Sequence, residues 1–413
     1  MKIIERNEYL NKLISRRENG MIKILTGIRR CGKSFILDPI FKDYLISDGV
    51  KENHIIKLDL DDIKNMKYLE PEELDKYVDE HTVDNEMHYV LIDEIQKVTN
   101  FEAVLNGFLH RRNLDVYVTG SNSKFLSSDI ITEFRGRGDE IRIFPLSFSE
   151  FYNAYEGEKQ NAWKEYITYG GMPQILDNIS EEQKTNYLNT LFNLTYIRDI
   201  VERNKIEKDD ILETLLNMLS SSVGSLTNPQ KLYNTFISNG ITGISKNTII
   251  SYLDYLLDSF LLEKVERYDV KGKKYITTPQ KYYFADIGLR NARLNFRQQE
   301  ENHLMENVIY NELIVRGYNV DIGVVEIREG GERKQLEVDF VCNQGSKRYY
   351  IQSALNIDTR DKNEQESKSL NNIGDSFKKI IVVKDDIKLW RNEKGILIIG
   401  IQEFLLNKNS LDL

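Results

Sequence analysis

The sequence has few cysteines and no long apolar run. Only Cys31 and Cys342 occur among 413 residues, which excludes a disulfide framework and is typical of a reducing cytoplasm. The apolar runs are short, such as GILIIGI at 395–401, whereas a helix that spans a bilayer needs about 20 apolar residues. We therefore expect a cytoplasmic protein that does not span a membrane.

An excess of basic charge is also absent. Asp and Glu number 65 against 56 Lys and Arg, a formal net charge of -9, so any binding of nucleic acid must depend on a local basic surface. The five histidines and two cysteines show no metal-ligand spacing. The hydrophobic fraction of 40% excludes a disordered chain, and the length predicts two or three domains.

The order of apolar runs predicts an α/β fold in several parts. Over residues 1–150, short β-branched runs alternate with helical patterns, as in a P-loop domain with a parallel sheet. Residues 151–208 predict a helical lid or connector. Three helical stretches and a hairpin pattern follow at 209–290, in the order of a winged helix-turn-helix. Residues 300–413 predict a further α/β domain.

The strongest motif is a phosphate-binding loop. The segment satisfies G-x-x-x-x-G-K-[ST] directly after the strand pattern MIKILT and before the helical pattern FILDPIFKDYL. Backbone N–H groups of such a loop surround phosphate oxygens, Lys33 is expected to reach the β- and γ-phosphates, and Ser34 is expected to bind Mg²⁺. We therefore predict ATP and Mg²⁺ as ligands, with the nucleotide-binding residues Gly27, Ile28, Arg29, Arg30, Cys31, Gly32, Lys33, Ser34 and Phe35.

Two carboxylates end another buried strand pattern, YVLIDE. Successive side chains of a strand point in different directions, so Asp93 is predicted to hold the Mg²⁺ ion and Glu94 to activate the attacking water. The adjacent glutamate favours hydrolysis over nucleotide sensing alone. The predicted activity is therefore that of an ATPase.

Two further segments carry catalytic candidates. The strand pattern VYVTG ends in Ser121 and Asn122, and Asn122 is our first candidate for positioning water if this strand lies between the other two; an ordinary turn is the alternative. In the segment FRGRG, Arg135 and Arg137 are candidate arginine fingers, and a solvated basic loop is the alternative. A finger that acts in trans predicts a homo-oligomer, although Arg135 could also act within its own chain.

The winged-helix pattern carries candidate DNA contacts. Polar residues follow Ser245, the expected cap of the third helix, and recognition helices read bases from this end. Lysines in the proposed wing could meet phosphates, although a solvated hairpin or a protein-interaction module explains the same residues. The candidate contacts with double-stranded DNA are Lys246, Asn247, Thr248, Lys271, Lys273 and Lys274.

The strings GIRRCGKS, LIDEIQ, TGSNS, FRGR and FPLSFSEF together resemble a known family, and YGGMPQIL and LEVDFV extend the likeness over nearly the whole chain. The family consists of bacterial and archaeal AAA-type ATPases with a C-terminal domain of unknown function. The resemblance implies an ATPase core, a winged-helix middle and a C-terminal domain related to PD-(D/E)XK nucleases. It places the phosphate loop at Gly27, Gly32, Lys33 and Ser34, and it places Asp93 and Glu94 at the metal and water positions.

The nuclease-like domain departs from the pattern that this resemblance implies. Such a site needs two acidic metal ligands and a lysine. Glu306 and Asp339 match acidic positions, but Gln352 and Ala354 stand where an acid and the lysine are expected. We therefore expect an inactive domain with a structural or binding role.

The sequence leaves two classes of function open. In the first, the chain is an ATPase that couples hydrolysis to DNA association or remodelling. In the second, it is a nucleotide-dependent switch that binds a protein partner. An ATP-dependent nuclease is disfavoured by Ala354.

Overall fold

The chain forms two units. The computed structural model describes residues 3–120, 136–178, 180–297 and 300–413. Contacts divide the chain into Met1–Pro145 with Asp258–Phe260, and Leu146–Leu257 with Leu261–Leu413. In the described residues, no helix is both long enough and apolar enough to cross a bilayer.

The first unit is built on a parallel sheet. Its strands are β1 (Ile22–Thr26), β2 (Ile55–Asp59), β3 (His88–Asp93), β4 (Leu114–Thr119) and β5 (Gly138–Arg142). They lie in the order β2-β3-β4-β1-β5, and each neighbouring pair is parallel. Its helices are α1 (Asn7–Ile14), α2 (Lys33–Phe35), α3 (Lys42–Ser47), α4 (Pro71–His81) and α5 (Phe101–Phe108), with 3₁₀ turns at Glu52–His54, Ile63–Leu69 and Ile95–Lys97. The prediction of an α/β fold with a parallel sheet is confirmed for this unit.

An apolar layer covers one face of this sheet. Buried side chains of β1 to β4 pack with those of α4 and α5 in one continuous core. Almost every residue of β1, β3 and β4 is buried. Burial on both faces explains why these strands are nearly continuous apolar runs and do not alternate with polar residues.

The helix that the sequence predicts after the phosphate loop is broken. A π-helical segment at Ile36–Phe41 separates α2 from α3, and Asp38 within it has extended dihedral angles (φ -145, ψ 116). The ring of Pro39 disfavours the α conformation at the residue that precedes it. The prediction of one continuous helix over FILDPIFKDYL is therefore wrong at Asp38.

The second unit begins with helices. Those before the sheet are α6 (Phe148–Ala154), α7 (Ala162–Tyr169), α8 (Glu181–Thr190), α9 (Arg198–Asn204), α10 (Asp209–Ser221), α11 (Pro229–Ser238) and α12 (Lys246–Asp258). A π-helical segment covers Leu191–Ile197, and 3₁₀ turns cover Lys159–Asn161 and Pro173–Asp177. Asn228 caps α11 and Ser245 accepts a hydrogen bond from the Thr248 N–H at the start of α12, as the sequence predicts.

An eight-stranded sheet follows these helices. Its strands are β6 (Leu262–Asp269), β7 (Lys274–Phe284), β8 (Asn319–Glu329), β9 (Glu332–Gln344), β10 (Lys347–Ala354), β11 (Lys378–Val383), β12 (Trp390–Arg391) and β13 (Leu397–Gly400). They lie in the order β12-β13-β11-β10-β9-β8-β6-β7. The remaining helices are α13 (Ile287–Arg293), α14 (Glu301–Val315), α15 (Arg360–Asn371) and α16 (Ile401–Leu406).

The hairpin that the sequence assigns to a wing belongs to this sheet. Strands β6 and β7 are antiparallel, as predicted. Strand β6 also pairs in parallel with β8, with Arg267 to Asp269 opposite Ile322 to Val324. The proposed wing and the proposed C-terminal domain therefore share one sheet, which the sequence-based division at residues 290–300 does not anticipate.

A buried carboxylate joins the YGGMP segment to α13. Asp286 caps α13 by accepting from the Leu289 N–H at 3.0 Å, and it also accepts from the Gly171 N–H at 2.7 Å. A Cβ atom at Gly288 would lie only 2.0 Å from the Tyr169 carbonyl oxygen, so the two segments approach closely because glycine stands there. Burial raises the pKa of Asp286 to about 6, although the three N–H groups that it accepts from oppose this shift.

Candidate nucleotide site and other functional clusters

The phosphate loop connects β1 to α2 with glycine at both ends. Gly27 and Gly32 have φ angles of 136° and 102°, in the region that L side chains rarely adopt. A Cβ atom at Gly27 would lie 2.1 Å from the carbonyl oxygen of Ile143. The first glycine of the motif is therefore required by the backbone that packs against it.

Lys33 is folded onto its own loop. Its ammonium group donates to the carbonyl oxygens of Gly27 at 3.0 Å and Ile28 at 3.1 Å, and the side chain is almost fully buried. These two carbonyl groups keep the ammonium group inside the loop, where the motif predicts that phosphates bind. The geometry thus places a buried cation at the centre of the loop.

The other residues of the loop fall into two groups. Ile28 and Cys31 are buried, and the Cys31 thiol lies 3.4 Å from the Ile143 carbonyl oxygen. Arg29 and Arg30 are exposed, and Phe35 is half-buried. The two buried side chains anchor the loop in the core of the unit, and the two arginines are exposed at its surface.

Arg6 is a supporting residue that sequence reasoning did not single out. Its guanidinium donates to the carbonyl oxygens of Cys31 at 3.1 Å and Phe144 at 2.7 Å, and only 3% of the residue is exposed. Arg6 gave no sequence signal, because an arginine near a helix start is ordinary.

Polar side chains from three elements meet at the carboxyl end of the sheet. The Thr119 hydroxyl, at the end of β4, donates to the Asp93 carboxylate and accepts from the Glu94 N–H at 3.0 Å. Ser34 lines the same cleft as Asp93, and the Gln96 amide donates to Glu94. The structure therefore brings Ser34, Asp93 and Glu94 together, and it adds Thr119.

The electrostatics around Asp93 suit a divalent cation. The pKa of Asp93 is raised, chiefly by burial and further by the negative charges of Glu94 and Asp59, while the nearby hydroxyls of Thr119 and Ser34 oppose the rise. Asp59 ends β2 directly opposite Asp93, and both line a cleft of about 90 Å³ beside Ser34. Carboxylate and hydroxyl oxygens are ligands that Mg²⁺ prefers, so these residues fit the predicted metal. Asp59 was missed although its strand pattern also ends in acids.

The strand order agrees with the condition on which the Asn122 hypothesis depends, that its strand lies between the two strands that carry the other motifs. Strand β4 lies between β3 and β1, so its last residue, Thr119, lies between the ends of the two strands that carry the motifs. The candidates Ser121, Asn122 and Arg135 lie outside the described residues. Arg137 is exposed and immediately precedes β5, where its carbonyl oxygen accepts from the Ile22 N–H. Because β5 is parallel to β1, Arg137 lies at the sheet edge opposite the phosphate loop of its own chain.

The candidate DNA contacts lie on two elements. At the start of α12, Lys246 and Asn247 are exposed, whereas the Thr248 hydroxyl contacts the capping Ser245 hydroxyl at 2.9 Å. At the tip of the hairpin, three lysines are exposed. One of them, Lys271, donates to the Glu326 carbonyl oxygen of β8 at 2.8 Å, and the other two are Lys273 and Lys274.

A buried acidic cluster surrounds a lysine in the second unit. Lys281 of β7 lies 2.7 Å from Glu306 of α14 and 2.7 Å from Glu337 of β9. The Tyr283 hydroxyl donates to Glu306 at 2.5 Å. Burial raises the pKa of Asp339 well above its ordinary value, the charge of Glu306 adds to this, and Lys281 opposes it. Burial lowers the pKa of Lys281, but the charges of Glu306, Asp339 and Glu337 outweigh it and the net pKa is raised.

The two positions at which the sequence departs from the nuclease pattern lie differently. The Gln352 side chain accepts weakly from the Asp339 N–H and the Ser369 hydroxyl, each at 3.4 Å. Ala354 belongs to an apolar core that includes Leu370 of α15. The lysine of the acidic cluster, Lys281, therefore comes from the β6–β7 hairpin. The sequence analysis missed it because it looked for the nuclease pattern only within residues 300–413.

Comparison with known proteins gives the family. An AAA-domain family matches residues 19–152, which contain the phosphate loop and the Asp93 and Glu94 pair. An uncharacterized protein of Haemophilus influenzae is 33% identical over 410 residues, covering 98% of this chain and 99% of that protein. The chain belongs to this AAA-domain family. The predicted resemblance to a P-loop AAA-type protein is therefore confirmed.

Other comparisons cover the remainder of the AAA protein. Residues 160–300 and 301–404 match two domains of unknown function, DUF8612 and DUF4143. An uncharacterized Methanocaldococcus jannaschii protein is 29% identical over 340 residues, covering 78% of this chain and 71% of that protein. The structure of the Aeropyrum pernix ORC1 protein in complex with DNA covers 71% of this chain and 93% of that chain at 11% identity, with a TM-score of 0.28. So low a score carries no argument about function.

Proposed function

We propose that this AAA protein binds ATP with Mg²⁺ and hydrolyses it at the carboxyl edge of the parallel sheet. The observation that carries the proposal is that Ser34 and Asp93 line one cleft next to the phosphate loop, where the Thr119 hydroxyl donates to Asp93. Ser34 and Asp93 would hold the ion, which would neutralise developing charge on the phosphates when bound.

The chain's own residues would perform the remaining tasks. Lys33 would exchange its carbonyl partners for phosphate oxygens, because an ammonium group binds an anion more strongly than a neutral carbonyl. Glu94 would accept the proton of the attacking water. Thr119 would fix the relative position of Asp93 and Glu94, since its one hydroxyl bonds to both residues.

Steady-state ATP hydrolysis by the full chain tests this proposal. We expect Lys33→Ala to lose both nucleotide binding and turnover, and Glu94→Gln to retain binding while turnover falls by about 10²–10⁴-fold. The matched control is Glu73→Gln, an exposed glutamate of α4, which should hydrolyse ATP like the wild type. Wild-type turnover in Glu94→Gln would contradict the role of that residue.

We also propose that hydrolysis involves a second copy of the chain. Arg137 lies at the edge opposite its own phosphate loop, so its role as an arginine finger would be in trans, whereas Arg135 is proposed for either arrangement. A mixture of Lys33→Ala chains with Arg135→Ala/Arg137→Ala chains tests this. At an interface between the two variants, the arginine variant supplies an intact phosphate loop and the Lys33→Ala chain supplies intact arginines. Recovered turnover supports action in trans. If the mixture stays inactive while the arginine variant still binds ATP, this proposal fails.

We further propose that the ATPase cycle is coupled to DNA association. The supporting observation is the exposure of Lys246 and Asn247 at the start of α12, and of Lys273 and Lys274 at the hairpin tip. Duplex binding should weaken steeply with salt, and Lys273→Ala/Lys274→Ala should reduce the logarithmic salt slope by about 2, since each phosphate contact contributes roughly 0.9.

A lysine elsewhere on the hairpin supplies the control. Lys264 is exposed on β6, and Lys264→Ala should leave the salt slope unchanged. An unchanged slope in the double variant, with ATP still bound, would favour the alternative function of a nucleotide-dependent switch that binds a protein partner. We do not favour nuclease activity, because Lys281, Glu306 and Asp339 are each at most 7% exposed.

A further inference from the structure

Two buried histidines lie together at the amino ends of β2 and β3. His54 immediately precedes β2 and His88 is the first residue of β3, and these strands are neighbours. The rings are 4.5 Å apart between centroids, and both residues are at most 4% exposed. This end of the sheet is opposite the phosphate loop, so the pair has no part in the nucleotide site.

Carboxylates from the connection between α4 and β3 face the same pair. An Asp84 oxygen lies 3.1 Å from His54 Nε2, and a Glu86 oxygen lies 3.6 Å from His54 Nδ1. The pKa of Asp84 is lowered, chiefly because the Glu86 N–H donates to it and also because of its bond with His54. One ligand atom each from His54, Asp84 and His88 lies within 4.8 Å of the other two.

The neighbours of His88 determine which of its nitrogens can bind a ligand. The Val83 N–H donates to Nε2 at 3.1 Å, so this nitrogen carries a lone pair, and Nδ1 must therefore donate to the Glu86 carbonyl oxygen at 2.8 Å. In metal-binding histidines, the ring nitrogen that does not bind the metal commonly donates its N–H to a backbone carbonyl, which fixes the tautomer and the ring orientation. His88 has this arrangement. At His88 Nε2 a cation would replace the Val83 N–H, and Val83 is 55% exposed.

We propose that His54, Asp84 and His88 form a binding site for a divalent transition-metal ion of the Zn²⁺ class. Two imidazole nitrogens and one carboxylate oxygen suit Zn²⁺, Co²⁺ or Ni²⁺, whereas Mg²⁺ and Ca²⁺ prefer oxygen ligands alone. Glu86 is the adjacent carboxylate, and it now pairs with Lys51 at 3.0 Å. The ion would fasten the connection before β3 to the amino end of β2.

The spacing of histidines along the sequence does not anticipate this cluster. The sequence shows no metal-ligand spacing because the two histidines are far apart along the chain. Parallel pairing of β2 with β3 is what brings them together. The spacing of ligands therefore follows from the sheet register and not from a local motif.

Equilibrium dialysis of the untagged full chain tests the site. The protein is first freed of metal with a chelator and then dialysed against ZnCl₂ without nucleotide. We expect one Zn²⁺ ion per chain, and a raised melting temperature in its presence. His54→Gln and Asp84→Asn should each weaken binding by at least about 10-fold, because losing even an outer-shell partner of a metal ligand typically costs 10- to 100-fold.

The variants keep the test decisive. Asp84 is exposed, and asparagine can still accept from the Glu86 N–H, so Asp84→Asn should fold even if a histidine variant does not. His110→Gln, which changes an exposed histidine of the same unit, should bind like the wild type. Absence of Zn²⁺ from the wild type, or equal affinity in the wild type and Asp84→Asn, overturns the proposal, and neither result bears on ATP hydrolysis.

Discussion

Replacing Lys281 with methionine should strongly destabilise the second unit. The ammonium contacts two carboxylates at 2.7 Å, and the Lys281 and Glu306 side chains are 3% and 7% exposed. Removing one partner of a buried pair leaves an uncompensated charge and typically costs about 3–5 kcal/mol. Lys281→Met would leave Glu306, Glu337 and Asp339 facing one another, so we expect a loss within that range.

The loss should depend on pH. Asp339 has a raised pKa in the folded state, so its contribution to stability is present below its unfolded pKa and is lost as pH rises through the folded pKa. Without the ammonium, Asp339 binds its proton more readily, and the repulsion within the cluster is relieved at low pH. We therefore expect the destabilisation by Lys281→Met to be larger at pH 8 than at pH 5.

Urea unfolding followed by tryptophan fluorescence measures the stability of the second unit. The sequence has two tryptophans, Trp163 and Trp390, and both lie in the second unit. Lys274→Met, an exposed position on the same strand, is the control and should change the free energy of unfolding by less than about 0.5 kcal/mol. Adding Glu306→Gln should recover part of the loss. A loss below about 1 kcal/mol, equal at both pH values, would refute the reasoning.

Three further results are expected from the nucleotide site and the α13 cap. Thr119→Val should lower kcat for ATP hydrolysis by about 10- to 100-fold at unchanged ATP affinity, since a hydrogen bond to a charged group contributes about 1.5–3 kcal/mol; Thr119→Ser should restore it, and an unchanged kcat would contradict this. Gly27→Ala should abolish ATP binding in a filter assay because its Cβ meets the Ile143 carbonyl, whereas Gly20→Ala, with nothing within 4 Å, should bind normally. Burial raises the folded pKa of Asp286 from 3.8 to about 6. Because each pKa unit is worth about 1.36 kcal/mol, the free energy of unfolding of the wild type should fall by about 3 kcal/mol as pH rises from 4 to above 6. Urea unfolding of Asp286→Asn should lack this pH dependence, and the same slope in both proteins would exclude it.

Local patterns were sufficient for the first unit. Strands β1, β3 and β4 could be predicted because burial on both faces makes each one a short apolar run between helical patterns. The phosphate loop could be predicted because its glycines and Lys33 occur at a fixed spacing. Thr119 could have been found by the same reasoning, since it ends β4 as Asp93 ends the neighbouring β3. The sequence analysis instead selected Ser121 and Asn122, which follow it.

Long-range pairing was not visible in the sequence. Lys281 follows the polar stretch TTPQ of β7 and looks like an ordinary exposed strand lysine until α14 and β9 bring carboxylates to it. The pairing of β6 with β8 joins segments that are separated by α13 and α14. His54 and His88 likewise meet only through the register of β2 and β3. Each of these features depends on contacts between residues distant along the chain, for which one sequence carries no local pattern.

The pairing of β6 with β8 also bears on how this protein evolves. The regions that match two domains of unknown function meet at residues 300 and 301, but β6 lies in the first region and β8 in the second. A recombination event at that boundary would separate the two strands and expose the unpaired backbone of β8, which is a template for aggregation. The two regions should therefore be inherited together, as a single module with one sheet, and an exchange that moves only one of them should be selected against.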